Sequence, residues 1–263
     1  MHFFESCKHG LCQKRYKFLL FIALLIFAPM AQKKLQRFAA IKTFANVLEY
    51  PVNMQGQWHC FFKNNNPVVL ELACGRGEYT VGLAKLYPDK NFIGVDIKGN
   101  RMFIGAKKCL AEKINNAAFL RTQIEKIPDY FTANEVSDIW ITFPDPQLRL
   151  SKAKKRLTHP RFLRLYLQIL RPSGSIHLKT DSPVLFNFTK KVIALYGLSL
   201  IEETENVFAG NNISEALKIK THYESMDIAK SKAVFYLHFT LPAAIKNIDG
   251  QLQLIINNEE KAN

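Results

Sequence analysis

The sequence is short of several things, and each shortage removes a class of protein. Cysteine is scarce and scattered: Cys7, Cys12, Cys60, Cys74 and Cys109 are odd in number, and no two have the spacing of zinc ligands. A disulfide framework and a cysteine-bound metal are excluded on that pattern, which suits reduced thiols in the cytoplasm. Long apolar runs are missing too. Phe18–Ala28 is unbroken but has only eleven residues, where a membrane-crossing helix needs about 20. No stable membrane association is expected. Acids are outnumbered, 22 Asp and Glu against 36 Lys and Arg, for a net charge of +14. Such an excess favours an anionic partner, with nucleic acid or an anionic lipid surface first. There is no internal repeat. What remains, 263 residues of which 48% are hydrophobic, is enough for one α/β domain with a full core.

Residues 1–29 stand apart from the rest. Lys8, Lys14, Arg15 and Lys17 precede Phe18–Ala28, a length within the roughly 7–15 residues of a signal-peptide core. No Ala-x-Ala-like cleavage site follows, because Ala28-Pro29-Met30 interposes a proline and then a large residue. A signal, a membrane-surface anchor and translated upstream sequence with the true start at Met30 all compete. The third agrees with the cytoplasmic chemistry of the remainder, so 1–29 is set outside the fold.

Residues 30–66 form a basic arm, opening on Lys33-Lys34-Leu35-Gln36-Arg37 and ending at Asn64-Asn65-Asn66-Pro67. Strands then alternate with helices across 67–241. Val68–Leu72 is a short run, apolar but for Glu71, as a strand buried on both faces should be. Glu78–Tyr87 is an amphipathic helix stopped by Pro88. Phe92–Asp96, Ala117–Leu120, Val136–Phe143 and Ser175–Thr180 are further strands, with helices over Arg101–Ile114, Phe162–Leu170 and Val184–Leu195 between or after them. Arg171-Pro172-Ser173-Gly174 is expected to close the helix before it. Leu198–Glu203 and Ala233–Leu241 are late strands, expected as an antiparallel pair at one edge. Residues 242–263 are a polar tail, expected to be loosely held. The order predicts a doubly wound, mostly parallel sheet with ligands beyond the carboxyl ends of its strands.

The chemistry-bearing residues fall at those ends. Glu71-Leu72-Ala73-Cys74-Gly75-Arg76-Gly77 leaves the first strand for a helix. Gly75 and Gly77 permit conformations and a close ligand approach that a Cβ would obstruct. A dinucleotide site wants a third glycine three residues on, where Thr80 stands. Glu71 before the loop instead suits a cationic, phosphate-free ligand such as a sulfonium with an amino-acid tail. Asp96, ending the next strand, can accept from both hydroxyls of a ribose. Thr142-Phe143-Pro144-Asp145-Pro146 ends the fourth strand, and its prolines restrict where the Asp145 carboxylate points. Arg149, Lys152, Lys154, Lys155 and Arg156 follow with no acid among them, a candidate contact for a phosphate backbone. Thr180-Asp181 and Thr221-His222-Tyr223-Glu224 lie further on.

These motifs, with Leu35-Gln36-Arg37-Phe38 in the arm, resemble the bacterial tRNA (guanine-N7-)-methyltransferases from about Lys34 to Leu241. The resemblance implies a Rossmann-like methyltransferase sheet and S-adenosylmethionine as methyl donor. It also implies transfer to N7 of guanine 46 in the tRNA variable loop. It assigns cofactor contacts to Glu71, Asp96, Gln123 and Asp145, the last also catalytic, and the glycine loop of Gly75 and Gly77 belongs to the same site. Substrate binding goes to Arg149, Asp181, Thr221, His222, Tyr223 and Glu224. RNA contact goes to Ser151, Lys152, Ala153, Lys154, Lys155 and Arg156. The chain departs from the family at Gln147, where an aromatic is usual, at Arg149 for lysine, and at Gln123 for a common aspartate. Rival readings are a methyltransferase of the same fold acting on a small molecule, which needs no long cationic surface, and a noncatalytic RNA-binding relative, which needs no intact Glu71, Asp96 and Asp145.

Overall fold

In a computed structural model the described residues are 32–210, 213–225 and 233–262. Phe18–Ala28 and the expected start at Met30 lie outside them. The first element is a helix over residues 32–41 (α1), followed by β1 (Val47–Glu49) and α2 (Trp58–Phe62). The alternating part comprises β2 (Val68–Leu72), α3 (Glu78–Leu86), β3 (Asn91–Asp96), α4 (Gly99–Ala111) and β4 (Ala117–Arg121). Beyond it come β5 (Val136–Thr142), α5 (Pro160–Leu167), β6 (Leu170–Thr180), α6 (Pro183–Tyr196) and β7 (Ser199–Thr204). Last are the short helices α7 (Glu215–Lys218) and α8 (His222–Ser225), then β8 (Phe235–Thr240) and α9 (Asp249–Ala262).

The strands form one sheet in the order β1-β4-β3-β2-β5-β6-β8-β7. Pairings from β1 to β6 are parallel, whereas β8 runs antiparallel to both β6 and β7. The expected doubly wound sheet with a late antiparallel pair at one edge is therefore what forms. All five residues of β2 and all six of β3 are buried, because helices cover both faces, and that is why these strands are apolar but for Glu71, Asn91 and Asp96. Leu70 and Leu72 pack on one face with Trp58, Phe131, Phe162 and Tyr166. Val69 packs on the other with Tyr79, Leu83 and Met102. The chain winds from β2 toward β4 and then returns to the other side of β2 as β5. The carboxyl ends of β2 and β5 thus meet where strand order reverses, the place such sheets leave for a ligand.

Three expectations are corrected here. Arg171–Gly174 does not cap a helix but lies inside β6, where the register against β5 jumps from Val136↔Leu170 to Asp138↔Ser175. A Cβ at Gly174 would stand 2.6 Å from the Ser137 carbonyl oxygen, so glycine is what lets the irregular stretch press against its neighbour. Part of the basic arm enters the sheet, with Val47–Glu49 paired to Phe119–Arg121. The tail is a packed helix: Leu252 and Ile256 are buried, and Asp249 takes both an Arg164 fork, at 2.6 and 3.0 Å, and the Tyr196 hydroxyl at 2.7 Å. Among the described residues no helix is long and apolar enough to cross a membrane. Nor do three or more His, Cys, Asp or Glu side chains gather there to hold a metal.

Candidate active site

A cavity of about 200 Å³ opens at the switch point, walled by Glu71, Gly75, Asp96, Thr142, Asp145 and Thr221 among others. Glu71 is the penultimate residue of β2, with its side chain buried. One carboxylate oxygen accepts from the Thr80 amide at 2.7 Å and from the Thr80 hydroxyl, and the other accepts from the Thr142 hydroxyl at 2.8 Å. Burial outweighs these bonds and pushes the carboxyl up to about 7, since desolvation penalises the charged form. Asp96 is held by backbone alone, one oxygen on the Gly75 amide at 2.9 Å and the other on the Lys98 amide at 2.8 Å. Each oxygen keeps a second lone pair, so the carboxylate is oriented and can still accept from a ligand.

The two glycines do different work. Both adopt positive φ, 56° at Gly75 and 74° at Gly77. A Cβ at Gly75 would meet nothing nearer than the Ala73 carbonyl oxygen at 3.9 Å, so it would occupy the cavity. At Gly77 it would strike the Phe119 ring at 2.4 Å. Gly77 is thus required by core packing and by the turn into α3, and not by ligand approach. Gln123 lies two residues beyond β4, exposed, and is not among the residues lining the cavity.

On the other side of the switch point, Asp145 is exposed and accepts from the Gln147 amide at 3.0 Å. Phe143 and Gln147, flanking Pro144-Asp145-Pro146, both take left-handed backbone, φ 46° and 48°. Such conformations in non-glycine residues persist where surrounding contacts impose them. Those contacts are visible. The Phe143 amide donates to the Lys179 carbonyl at 2.8 Å. The Arg156 guanidinium donates to the Pro146 and Gln147 carbonyls, each at 3.1 Å, and lies 4.6 Å from the Phe188 ring centre.

This divides the cationic stretch. Arg149 caps a 3₁₀ turn over Leu150–Lys155 and is exposed, as are Ser151, Lys152, Lys154 and Lys155. Ala153 and Arg156 are 1% and 2% exposed. The expectation that these two touch RNA is corrected: both are buried, and Arg156, with its Nε and Nη2 donating to the Pro146 and Gln147 carbonyls, holds the Asp145 loop in place.

Asp181 lies just past the end of β6, and Thr221 accepts from the Glu224 amide at 3.2 Å to start α8, which carries His222 and Tyr223. Glu224 accepts from the Lys179 ammonium, 3.2 Å to each oxygen. Sequence reasoning passed over Lys179, Thr80, Thr142 and the inward turn of Arg156. A signal existed for Lys179 alone: a lysine inside an apolar strand must find a counter-charge.

The sheet is that of a Rossmann-like methyltransferase. The fold superposes on the 16S rRNA methyltransferase KamB with a TM-score of 0.56, at 17% identity, over 75% of this chain and 99% of that one. The family model described as putative methyltransferase matches residues 65–237. The tRNA (guanine-N(7)-)-methyltransferase of Bacteroides thetaiotaomicron is 46% identical over 81% of this chain and 87% of its own length. That of Christiangramia forsetii is 42% identical over 80% of this chain and 99% of its own. The chain belongs to the tRNA (guanine-N7-)-methyltransferase family.

Proposed function

We propose that the protein transfers the methyl group of S-adenosylmethionine to N7 of guanine 46 in the variable loop of tRNA, in the cytoplasm. One observation carries this reading: Asp145 lines the switch-point cavity, and the chain that follows it exposes Arg149, Lys152, Lys154 and Lys155. A small acceptor would need no such exposed cations. The enzyme relatives named for tRNA support the substrate class.

The cavity fits the donor by its chemistry. Asp96, oriented by two amides, offers acceptors to a ribose diol, the open side of Gly75 admits close approach, and Glu71 supplies negative charge. Bound there, S-adenosylmethionine supplies an electrophilic methyl carried by a sulfonium. Guanine N7 has an in-plane lone pair and no proton, so no base is needed to activate it. The chain's work is positioning and exclusion of water. Asp145 and Asp181 accept from the N1–H and N2–H edge of the base, with Asp145 aimed by its prolines and by Arg156. The exposed cations hold phosphates and offset the few kcal/mol needed to swing a paired base out.

The test is transfer of labelled methyl from donor to unmodified tRNA, with the modified base identified. Label should appear as 7-methylguanine at position 46 and vanish when that base is changed. Asp145→Ala should cut the single-turnover rate far more than donor affinity. Label on another base, or an Asp145→Ala rate near wild type at saturating tRNA, would refute the assignment.

A further inference from the structure

Lys179 lies in β6 with its side chain 0% exposed, and Glu224 opposite is 7% exposed. An ammonium has three N–H donors, and all three are used. One goes to the Leu217 carbonyl at 2.9 Å, one to the Ile219 carbonyl at 3.0 Å, and one is shared between the two Glu224 oxygens. The rings of Tyr79, Phe143 and Phe208 surround the charge, with centres 5.3–5.5 Å away. Its main chain reaches in a second direction, since the Lys179 carbonyl holds the Phe143 amide at the root of the Asp145 loop. Glu224 reciprocates with Thr221, its carboxylate accepting the Thr221 amide at 3.3 Å while Thr221, which lines the cavity, accepts the Glu224 amide.

We propose that Lys179 is the positioning residue of the acceptor site, fixing Leu217–Glu224 and the Asp145 loop against one another, and that Glu224 serves as its counter-ion and not as a ligand of the base. This rests on the methyl-transfer reading of the same site. The chemistry favours it. Burying a lone ammonium is prohibitive, whereas a pair with every donor satisfied fixes one geometry. Glu224 spends its charge on Lys179, and both its oxygens already face that cation.

The experiment is a double-mutant cycle in the full chain: Lys179→Met, Glu224→Gln and both together. Single-turnover transfer to unmodified tRNA is followed at saturating donor and tRNA, with donor affinity measured by calorimetry. The rate reports positioning, while the amplitude counts folded enzyme. Each single variant should slow the rate by about tenfold or more at unchanged amplitude, because small misplacements of reacting groups are costly. Donor affinity should stay within about threefold, and the double variant should be no slower than the worse single, since both remove one interaction. A double variant slowed by the product of the two singles would give Glu224 a separate role and overturn the proposal. So would a Lys179→Met rate equal to wild type. If Lys179→Met does not fold, the charge-neutral double decides: a slowed rate with donor binding intact supports the proposal, and wild-type speed overturns it. Absence of transfer by the unmodified protein would instead sink the tRNA reading itself.

Discussion

Replacing Glu71 by glutamine removes a charge while keeping the shape and the Thr80 bonds to its oxygen, with the Thr142 hydroxyl turned to accept from the new amide N–H. Burial moves the Glu71 carboxyl from 4.5 to about 7. At about 1.4 kcal/mol per pH unit, that displacement is worth about 3 kcal/mol. The sign follows from proton linkage. Because the folded-state pKa lies above the unfolded one, the native protein binds the proton more tightly between pH 4.5 and 7, and stability falls as pH rises through that window. Below pH 4.5 the cost is absent, and above about pH 7 it is complete. Urea unfolding of both proteins from pH 4.5 to 8 should therefore show Glu71→Gln gaining about 3 kcal/mol on the wild type across the range. The gain should level off above about pH 7. Titrations elsewhere in the chain cancel in the difference. A gap that does not change with pH would refute the reasoning. The same substitution should weaken donor binding, because a cationic donor is complemented by the carboxylate and not by an amide; stability bought at an active site commonly costs function.

Asp96→Ala should weaken S-adenosylmethionine binding by on the order of 1–3 kcal/mol in calorimetry, through lost hydrogen bonds to a buried ligand; unchanged affinity in a folded variant would remove Asp96 from the site. Gly77→Ala should lower stability in thermal unfolding by about 1–3 kcal/mol as its Cβ meets Phe119 at 2.4 Å. Gly75→Ala should chiefly reduce donor affinity. Neutralising Lys152, Lys154 and Lys155 together should flatten the log–log salt dependence of tRNA binding by about 0.7–0.9 per lost phosphate contact. Arg156→Gln should leave that slope alone and slow methyl transfer, since its guanidinium holds the Asp145 loop.

Local pattern alone determined a good deal of this protein. The short run of Val68–Leu72, apolar but for Glu71, read as a strand covered on both faces, and alternation of such runs with amphipathic helices implied the doubly wound sheet. Glycines and acids at strand ends, with prolines around Asp145, marked the site, because those residue types constrain the backbone wherever they occur. Tertiary structure decided what depends on partners distant in sequence. Whether a cation faces solvent or the interior depends on what lies beneath it, so Arg156 and Lys152 read alike in the chain and part ways in the fold. Gly77 looked like a ligand-facing glycine until Phe119, from β4, was seen against it. Asp249 found Arg164 and Tyr196 across more than fifty residues, turning a polar tail into a packed helix. Lys179 became the hub of the acceptor site only when β6, the Asp145 loop and Leu217–Glu224 met, since burial and long-range hydrogen bonding are properties of the assembled molecule.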